Sequence, residues 1–503
     1  MKKLFLLFFT LNTILFSQNY QIKNYEYNID GITKEEYLSN KITINTTDVF
    51  DSEEELIQYI NELKQKYINL RLFDTVDISH SLINIDSDEK NTNFVSLLIQ
   101  LNESKNFILL PYYKYDSTDG NVLKAKLKNS NFLGTLEELE SEFSFGIKSN
   151  DSNNLDFKLG GEFLYNLPFF IGPIKAFWNN DLGISYTIGK DIPEWNANTG
   201  FTFSLPFEKF SIDLTLTQKF VNDFDYKIYD DSIYFGEEVD FSVPIKITNT
   251  NYLGNFIYTP EINFIYNWQP NEKINISNDD LLSPELSVIN NFSLGQINWH
   301  NNFRKGTSII AKQITGYNFL INKMILGYEI KAENYLSNDR IGFNSRLISY
   351  YYMNKNKKIG EYLRGIRDDE YFNPNVSLNN INSTSTPMAL ILNLDLPIRI
   401  ITTDFEKWGF NFLRKLNFEL QINPFIDLAL THNRVTERTF SLKDGFYTAG
   451  IEFIVFPLRW KSLQIRASAG FDLGRMFFKD FIDSSWRPNP SVYEVSFGIG
   501  LHY

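Results

Sequence analysis

From about Phe107 to the C-terminus, apolar and polar residues alternate with period two, the pattern of strands with two unlike faces. In the last segment Tyr493, Val495, Phe497, Ile499, Leu501 and Tyr503 point one way, and Glu494, Ser496, Gly498, Gly500 and His502 point the other. Ile262, Phe264, Tyr266 and Trp268 alternate with Glu261, Asn263 and Asn267. Phe210, Ile212, Leu214 and Leu216 alternate with Ser211, Asp213, Thr215 and Thr217. Leu390, Leu392, Leu394 and Leu396 face away from Asn393 and Asp395. The pattern predicts many strands of about ten residues, with no strong helix signal between them. An apolar-Pro-apolar triplet closes several: at Pro168, Pro206, Pro244, Pro397 and Pro457, the first three spaced by 38 residues. Two strands, a tight turn and a longer loop fill that interval. Short turns at one end and long polar loops at the other are the arrangement of a transmembrane barrel.

The grammar differs before Phe107. Residues 22–103 read as a small α+β module. Tyr25 to Ile32 predicts a strand, and Ser52-Glu53-Glu54-Glu55 a capping box. An amphipathic helix follows, with Leu56, Tyr59, Ile60, Leu63, Tyr67 and Leu70 on one face. Two more strands are expected at Thr75–Ile83 and Phe94–Leu101. Ahead of the module, Lys2 and Lys3 precede an apolar run from Leu4 to Phe16, closed by Ser17 and Gln18. That run has signal-peptide length and falls short of the roughly 20 residues of a spanning helix. The expected organisation is therefore a signal peptide at 1–18, the module at 22–103 and a barrel at 107–503.

Composition narrows the function classes. Aromatic residues make up 16% of the 503, enough for interfacial girdles, and Cys is absent. Without cysteine there is no disulfide, thiol nucleophile or Cys–metal site. Four scattered His supply no metal cluster, and there is no phosphate loop or nucleophile elbow. We expect no catalytic residue, metal or cofactor. The net charge of −13 argues against nucleic acid as a partner. A soluble sandwich would alternate in the same way. The export signal, the aromatic content, the aromatic last residue and a strand-rich region of about 400 residues favour a closed membrane sheet. At roughly 25 residues per strand and connection, about 16 antiparallel strands are expected.

Taken together, these segments resemble the outer-membrane barrel-assembly superfamily of BamA, TamA and the two-partner-secretion translocase FhaC, in which periplasmic POTRA domains precede a 16-stranded barrel of the bacterial surface antigen kind. The N-terminal module resembles a single POTRA domain, with Tyr25 to Gly31 as its first strand and Leu70 to Ile78 as the turn into its second; Asn69 and Arg71 stand near where the family commonly has glycine. Pro111 to Tyr115, Asp119-Gly120 and Asn131 to Gly134 are similar to the family's first barrel hairpin. Leu363-Arg364-Gly365-Ile366 resembles the Val-Arg-Gly-aromatic motif of a loop that folds into the lumen, with Ile366 replacing the aromatic residue. The resemblance implies that Arg364 pairs with the inward carboxylates Asp395 and Asp427, as a buried guanidinium requires. It also implies five strands after the loop and eleven before it. Phe497, Gly498, Gly500 and Tyr503 resemble the C-terminal β-signal and the lateral seam, Tyr503 replacing the usual Phe.

The function this implies is insertion or assembly of other proteins in the outer membrane. The N-terminal domain would lie in the periplasm. Partners would be the outer-membrane lipid bilayer and unfolded outer-membrane or secreted polypeptides, with periplasmic chaperones or accessory lipoproteins beside them. Clients would add a strand to the module at Thr75–Ile83 or Tyr25–Gly31. Glycines at the seam would weaken it, or relieve crowding inside the barrel. Two alternatives stay open: a secretion translocase plugged by the Arg364 loop, and a passive pore or surface antigen without clients.

Overall fold

A computed structural model describes residues 19–83, 92–116, 120–149, 155–224, 232–250, 254–270, 283–366, 384–483, 486 and 492–499. The expected signal peptide lies outside them. The chain divides into two units. One comprises residues up to Asn106 together with Asn131–Leu136 and Arg459–Ser462, and the other holds the rest.

The first unit is a four-stranded sheet with two helices. Its strands are β1 (Asn19–Asp30), β2 (Val49–Phe50), β3 (Phe73–Ile83) and β4 (Thr92–Glu103), in the order β2-β1-β4-β3. β1 runs parallel to β4, and β3 antiparallel to it. A short helix, α1 (Glu35–Lys41), precedes the expected one, α2 (Glu53–Asn69). The Ser52 hydroxyl accepts from the Glu55 N–H at 3.2 Å, while the Glu55 carboxylate reaches one residue further back and accepts from the Asp51 N–H at 2.7 Å. Leu56, Ile60, Leu63 and Tyr67 bury one face of α2 against Val95, Leu97, Ile99 and Leu101 of β4. At its centre Tyr27 and Tyr67 pair their hydroxyls at 2.9 Å, and burial raises the Tyr27 phenol to about 12. The Asn131–Gly134 segment, read from sequence as part of the first hairpin, is a short 3-10 turn of this unit. The Lys34 N–H donates to the Gly134 carbonyl at 3.0 Å. Gly134 has φ +74°, and a Cβ there would meet the Ile32 carbonyl oxygen, so only glycine fits.

The second unit is a closed antiparallel barrel. It opens with β5 (Phe107–Asp116), β6 (Gly120–Asn129), β7 (Leu139–Ser149), β8 (Leu155–Ile171) and β9 (Ile174–Thr187). β10 (Glu194–Pro206), β11 (Ser211–Asn222), β12 (Ile233–Ser242), β13 (Ile245–Thr250) and β14 (Gly254–Trp268) follow. Then come β15 (Glu285–His300), β16 (Phe303–Asn318), β17 (Lys323–Ser337) and β18 (Gly342–Met353). The small strands β19 (Lys357–Lys358) and β20 (Ser385–Thr386) belong to a loop. The wall resumes with β21 (Met388–Asp395), β22 (Ile398–Thr402), β23 (Phe418–Thr431), β24 (Phe446–Pro457), β25 (Ile465–Asp472) and β26 (Tyr493–Ile499), and the order closes from β26 to β5.

Two of these strands are broken by proline. β12 and β13 flank Val243-Pro244 and both pair with β14; β21 and β22 flank Leu396-Pro397 and both pair with β23. A proline has no N–H for the ladder, so the strand bends there and resumes. Counting each broken pair once, the described residues form eighteen strands, thirteen before the long loop and five after it. The expectation of about 16, with eleven before the loop, is low by two. At the end where β5 begins, several connections are only two to four residues long, such as Gly172-Pro173, Asn301-Asn302 and 338–341. Each strand therefore takes less chain than the roughly 25 residues assumed.

Alternation places Phe143, Leu216, Ile262, Tyr328, Leu347, Leu390 and Phe453 on an exposed outer face. The inner face carries buried Asn263, Asn267, Arg346, Asn393, Asn423 and Glu452. Such a wall is apolar where it meets hydrocarbon and polar within, with the ladder closed so that no edge is left unpaired in lipid. No helix among the described residues is long and apolar enough to cross a membrane. Phe220, Phe235 and Trp268 stack in succession across β11, β12 and β14 at centroid distances of 5.0 and 4.9 Å, tying three strands on one level.

Leu97 is fully buried between α2 and the sheet of the first unit. We expect Leu97→Ala to cost that unit about 2–5 kcal/mol through the cavity it leaves. Hydrogen exchange on the full chain should lose protection across α2, β1 and β4 while barrel peptides keep theirs.

Candidate functional site

The loop between β18 and β21 enters the barrel and rests on its inner wall. β19 and β20 pin its two limbs together, and the Ile359 N–H donates to the Thr384 carbonyl at 3.2 Å. Lys357 donates to Glu329 of β17 at 2.5 Å and sits 4.9 Å over the Tyr352 ring. A 3-10 turn at Gly360–Tyr362 then delivers the 363–366 segment. Ile359, Leu363 and Ile366 are buried in one apolar cluster with Ile348, Tyr350 and Tyr352 of β18, Ala389 and Ile391 of β21, Ala429, Phe446 and Trp486. Ile366 thus meets an apolar surface, which explains how an aliphatic side chain serves at this position.

Arg364 is the polar centre of the loop and only 2% exposed. Its Nε and Nη2 donate to the two carboxylate oxygens of Asp427 at 2.9 and 2.7 Å, the bidentate fork that fits a guanidinium. The Arg364 backbone N–H adds a third bond to Asp427 at 3.0 Å, and Nη1 donates to Asp395 at 2.7 Å. A third carboxylate, Glu452, lies 3.9 Å from Nη1 and is itself fully buried. Asn423 donates to both Asp395 and Glu452, each at 2.9 Å, and Arg466 donates to Glu452 at 2.9 Å. Beneath them the Phe425 ring stacks 3.6 Å from the guanidinium carbon, a desolvated cation–π contact of about 2 kcal/mol. Two cations and three carboxylates form one hydrogen-bonded cluster across β21, β23, β24 and β25.

Glycine lets the loop backbone approach that wall. Gly365 has φ +92°, and a Cβ on it would come within 2.8 Å of the Gly470 carbonyl carbon and the Phe471 nitrogen on β25. Reciprocally, a Cβ on Gly470 would meet the Gly365 nitrogen at 2.7 Å. Loop and strand touch backbone to backbone. Seated there, the Gly365 N–H donates to the Glu494 carboxylate of β26 at 2.8 Å. The loop is thereby hydrogen-bonded to the last described strand of the wall. A second inward contact fixes the 3-10 turn: Arg346 donates to Asn393 at 2.9 Å, and Asn393 donates to the Tyr362 carbonyl at 2.9 Å.

Of the residues singled out from sequence, Leu363, Arg364, Gly365, Ile366, Asp395 and Asp427 come together in this one place. Phe497 and Gly498 lie on β26 away from the cluster, where the rings of Phe497 and Tyr112 of β5 are 5.9 Å apart. A Cβ on Gly498 would meet nothing within 4 Å, so crowding does not account for that glycine. Gly500 and Tyr503 lie outside the described residues. Glu452, Asn423, Arg466, Phe425 and the role of Glu494 were not read from sequence. Among the described residues no group of three metal-ligating side chains is found.

Across the barrel, the inner faces of β6 to β12 border a cavity of about 790 Å³. Lys124, Ser144, Lys158, Glu162, Glu194 and Lys219 contribute to its lining. Glu142 pairs with Lys124 and Glu238 with Lys219 beside it. The docked part of the loop lies against strands from β17 to β26, while this cavity borders β6 to β12 and is lined by charged and apolar side chains alike.

No protein-family model matches the chain, and neither does any curated protein. Among solved structures it is similar to CdiB from Acinetobacter baumannii at 10% identity, covering 96% of this chain and 74% of that one with a TM-score of 0.45. It is likewise similar to CdiB from Escherichia coli at 10% identity, covering 95% and 76% with a TM-score of 0.49. BamA from Haemophilus ducreyi lacking POTRA domains 1–3 is similar at 11% identity, covering 95% and 84% with a TM-score of 0.36.

Removing one partner from a buried pair strands the other charge, at a cost of about 3–5 kcal/mol. We expect Asp427→Ala to release the loop, read as new protease cleavage within 354–387 on a barrel that keeps its heat-dependent gel shift. Asp427→Ala combined with Arg364→Ala should cost clearly less than the sum of the two single changes. Gly365→Ala should release the loop as well, by a different cause: the backbone contact with Gly470 no longer fits.

Proposed function

We propose that this chain is an outer-membrane barrel that assists the insertion or assembly of other polypeptides in that membrane, without enzymatic chemistry of its own. The observation that carries the reading is the tie between the docked loop and β26, made by the Gly365 N–H on Glu494 while Arg364 is held by Asp427 and Asp395. β26 is the strand through which the barrel closes onto β5. A docked loop braces that strand, and a displaced loop frees it. Parting of β26 from β5 would expose two strand edges within the membrane. Unpaired backbone groups are costly there, so an incoming client strand would be drawn to pair with them.

The first unit fits the same reading as a POTRA-like periplasmic domain with strand, helices and two further strands. β3 is the outer strand of its sheet, and its residues Ser79 to Leu82 are exposed. An extended client could add to that edge by main-chain hydrogen bonds. β1 is flanked by β4 on one side and, at Tyr20 and Gln21, by β2 on the other. β2 thus covers β1 only ahead of Tyr25–Gly31, and both edges considered from sequence stay candidates.

The test is insertion of a urea-denatured outer-membrane barrel into liposomes carrying the full chain, beside its Arg364→Ala variant. The reading expects faster client folding with the unaltered protein and at least a severalfold loss with the variant. A client that folds no faster than in empty liposomes, beside a chain shown to be folded, would sink it.

A further inference from the structure

Several connections at the end of the barrel where β5 begins are two to four residues long, and the longest there is much longer. β22 and β23 are joined by residues 403–417, Thr-Asp-Phe-Glu-Lys-Trp-Gly-Phe-Asn-Phe-Leu-Arg-Lys-Leu-Asn. A linker of that length is expected to be polar, because it lies in water once it leaves the wall. This one is aromatic, and its large side chains point away from the protein. Phe412 is 78% exposed, Leu416 57%, Phe410 49% and Trp408 47%. Trp408, Phe412 and Leu416 recur every four residues.

The segment is also ordered by its own bonds. The Thr403 N–H donates to the Phe418 carbonyl at 2.8 Å and the Phe405 N–H to the Asn417 side chain at 3.0 Å, which closes its base. The Phe410 N–H donates to the Phe405 carbonyl at 2.7 Å, Gly409 turns the chain at φ +85°, and a 3-10 helix runs over Asn411–Leu416. The ring of Phe405 packs edge-on against Trp408 at 5.5 Å. A self-supporting turn that holds several apolar side chains outward loses free energy in water with nothing gained in return.

Two features say what covers it. The apolar surface continues that of the wall, since Ile400 and Ile401 of β22 are 52% and 39% exposed immediately before the turn. Basic residues flank the aromatic run: Lys407, paired with Asp404 at 2.9 Å, before it, and Arg414, 3.7 Å from Glu406, with Lys415 after it. Aromatic rings on an apolar surface with Lys and Arg beside them are the composition of segments that lie at a lipid headgroup boundary. We propose that the 403–417 turn is an interfacial anchor: Trp408, Phe410, Phe412 and Leu416 enter the leaflet at the short-turn end of the barrel, and Arg414 and Lys415 meet lipid phosphates. This rests on the barrel lying in a bilayer and not on how clients are handled.

Because the chain contains no cysteine, one introduced thiol is the only labelling site. Phe412→Cys in the full chain, labelled with an environment-sensitive fluorophore, is reconstituted in phosphatidylcholine–phosphatidylglycerol vesicles. Quenching by lipids carrying a nitroxide at a shallow or a deep acyl position, and by aqueous iodide, then reads depth. Phe143→Cys on the outer wall and Glu437→Cys in a loop at the other end serve as hydrocarbon and water references, and each variant is checked for a folded barrel by its gel shift. We expect the label at 412 to lie about 5–10 Å below the headgroup surface, quenched by the shallow nitroxide more than by the deep one and largely protected from iodide. Iodide quenching equal to that at 437, with no response to either nitroxide, would overturn the proposal. Protection from both iodide and nitroxides would overturn it too, since a protein surface would then be the cover.

Discussion

A guanidinium carried into the inner wall of a barrel keeps its charge, so its surroundings must replace the water it leaves. Much of the organised interior follows from meeting that demand for Arg364. Asp427 supplies the fork, Asp395 takes the remaining nitrogen, and Phe425 covers the flat face. Gathering carboxylates creates a second demand, since like charges at close range repel. Asn423 and Arg466 answer it by donating into Asp395 and Glu452. The ion pair is therefore not a simple contribution to stability, because desolvation consumes much of its attraction. Its consequence is specificity: few other placements of the loop would satisfy these groups.

The apolar side of the loop makes that placement steeper. Leu363 and Ile366 are held on either side of Arg364 and bury against β18, β21 and Phe446, so a small slide of the loop breaks polar and apolar contacts together. The Gly365–Gly470 contact permits little adjustment, because backbone meets backbone. A small displacement is therefore resisted on the polar and the apolar side of the loop at once.

The wall was legible from sequence because lipid and lumen make opposite demands on alternate residues, and that period survives any error in counting. The count itself went astray because chain per strand was assumed, while turns such as Gly172-Pro173 and Asn301-Asn302 use almost none. Asp395 and Asp427 stood out as acids within otherwise apolar strands. Glu452 carried the same signal, in phase with inward Thr448 and Ile454 of β24, and alternation would have found it. Arg466 and Asn423 are harder to read, since polar inward residues are common here and only register across three strands brings these two to Glu452. The short helix α1 has no side-chain cap and one buried residue, Leu38, too weak a period to see.

Glu494 shows where the local code ends. Its place on the polar face of the last strand was plain from alternation, yet nothing near it in sequence points to Gly365, 129 residues away. The contact exists because β26 pairs with β25, on whose backbone the loop rests. Had the wall fewer or more strands between loop and end, the same loop would meet a different partner. The five strands from β21/β22 to β26 thus set which strand the docked loop can brace. Of the thirteen strands before the loop, β17 meets it through Glu329 and β18 through Ile348, Tyr350 and Tyr352, while the hydrogen bonds from Arg364 to Asp427 and Asp395 and from Gly365 to Glu494 fall on strands after it. Strands added ahead of β17 would widen the lumen away from the docked loop and leave its contacts intact, so lumen size and loop docking can vary separately.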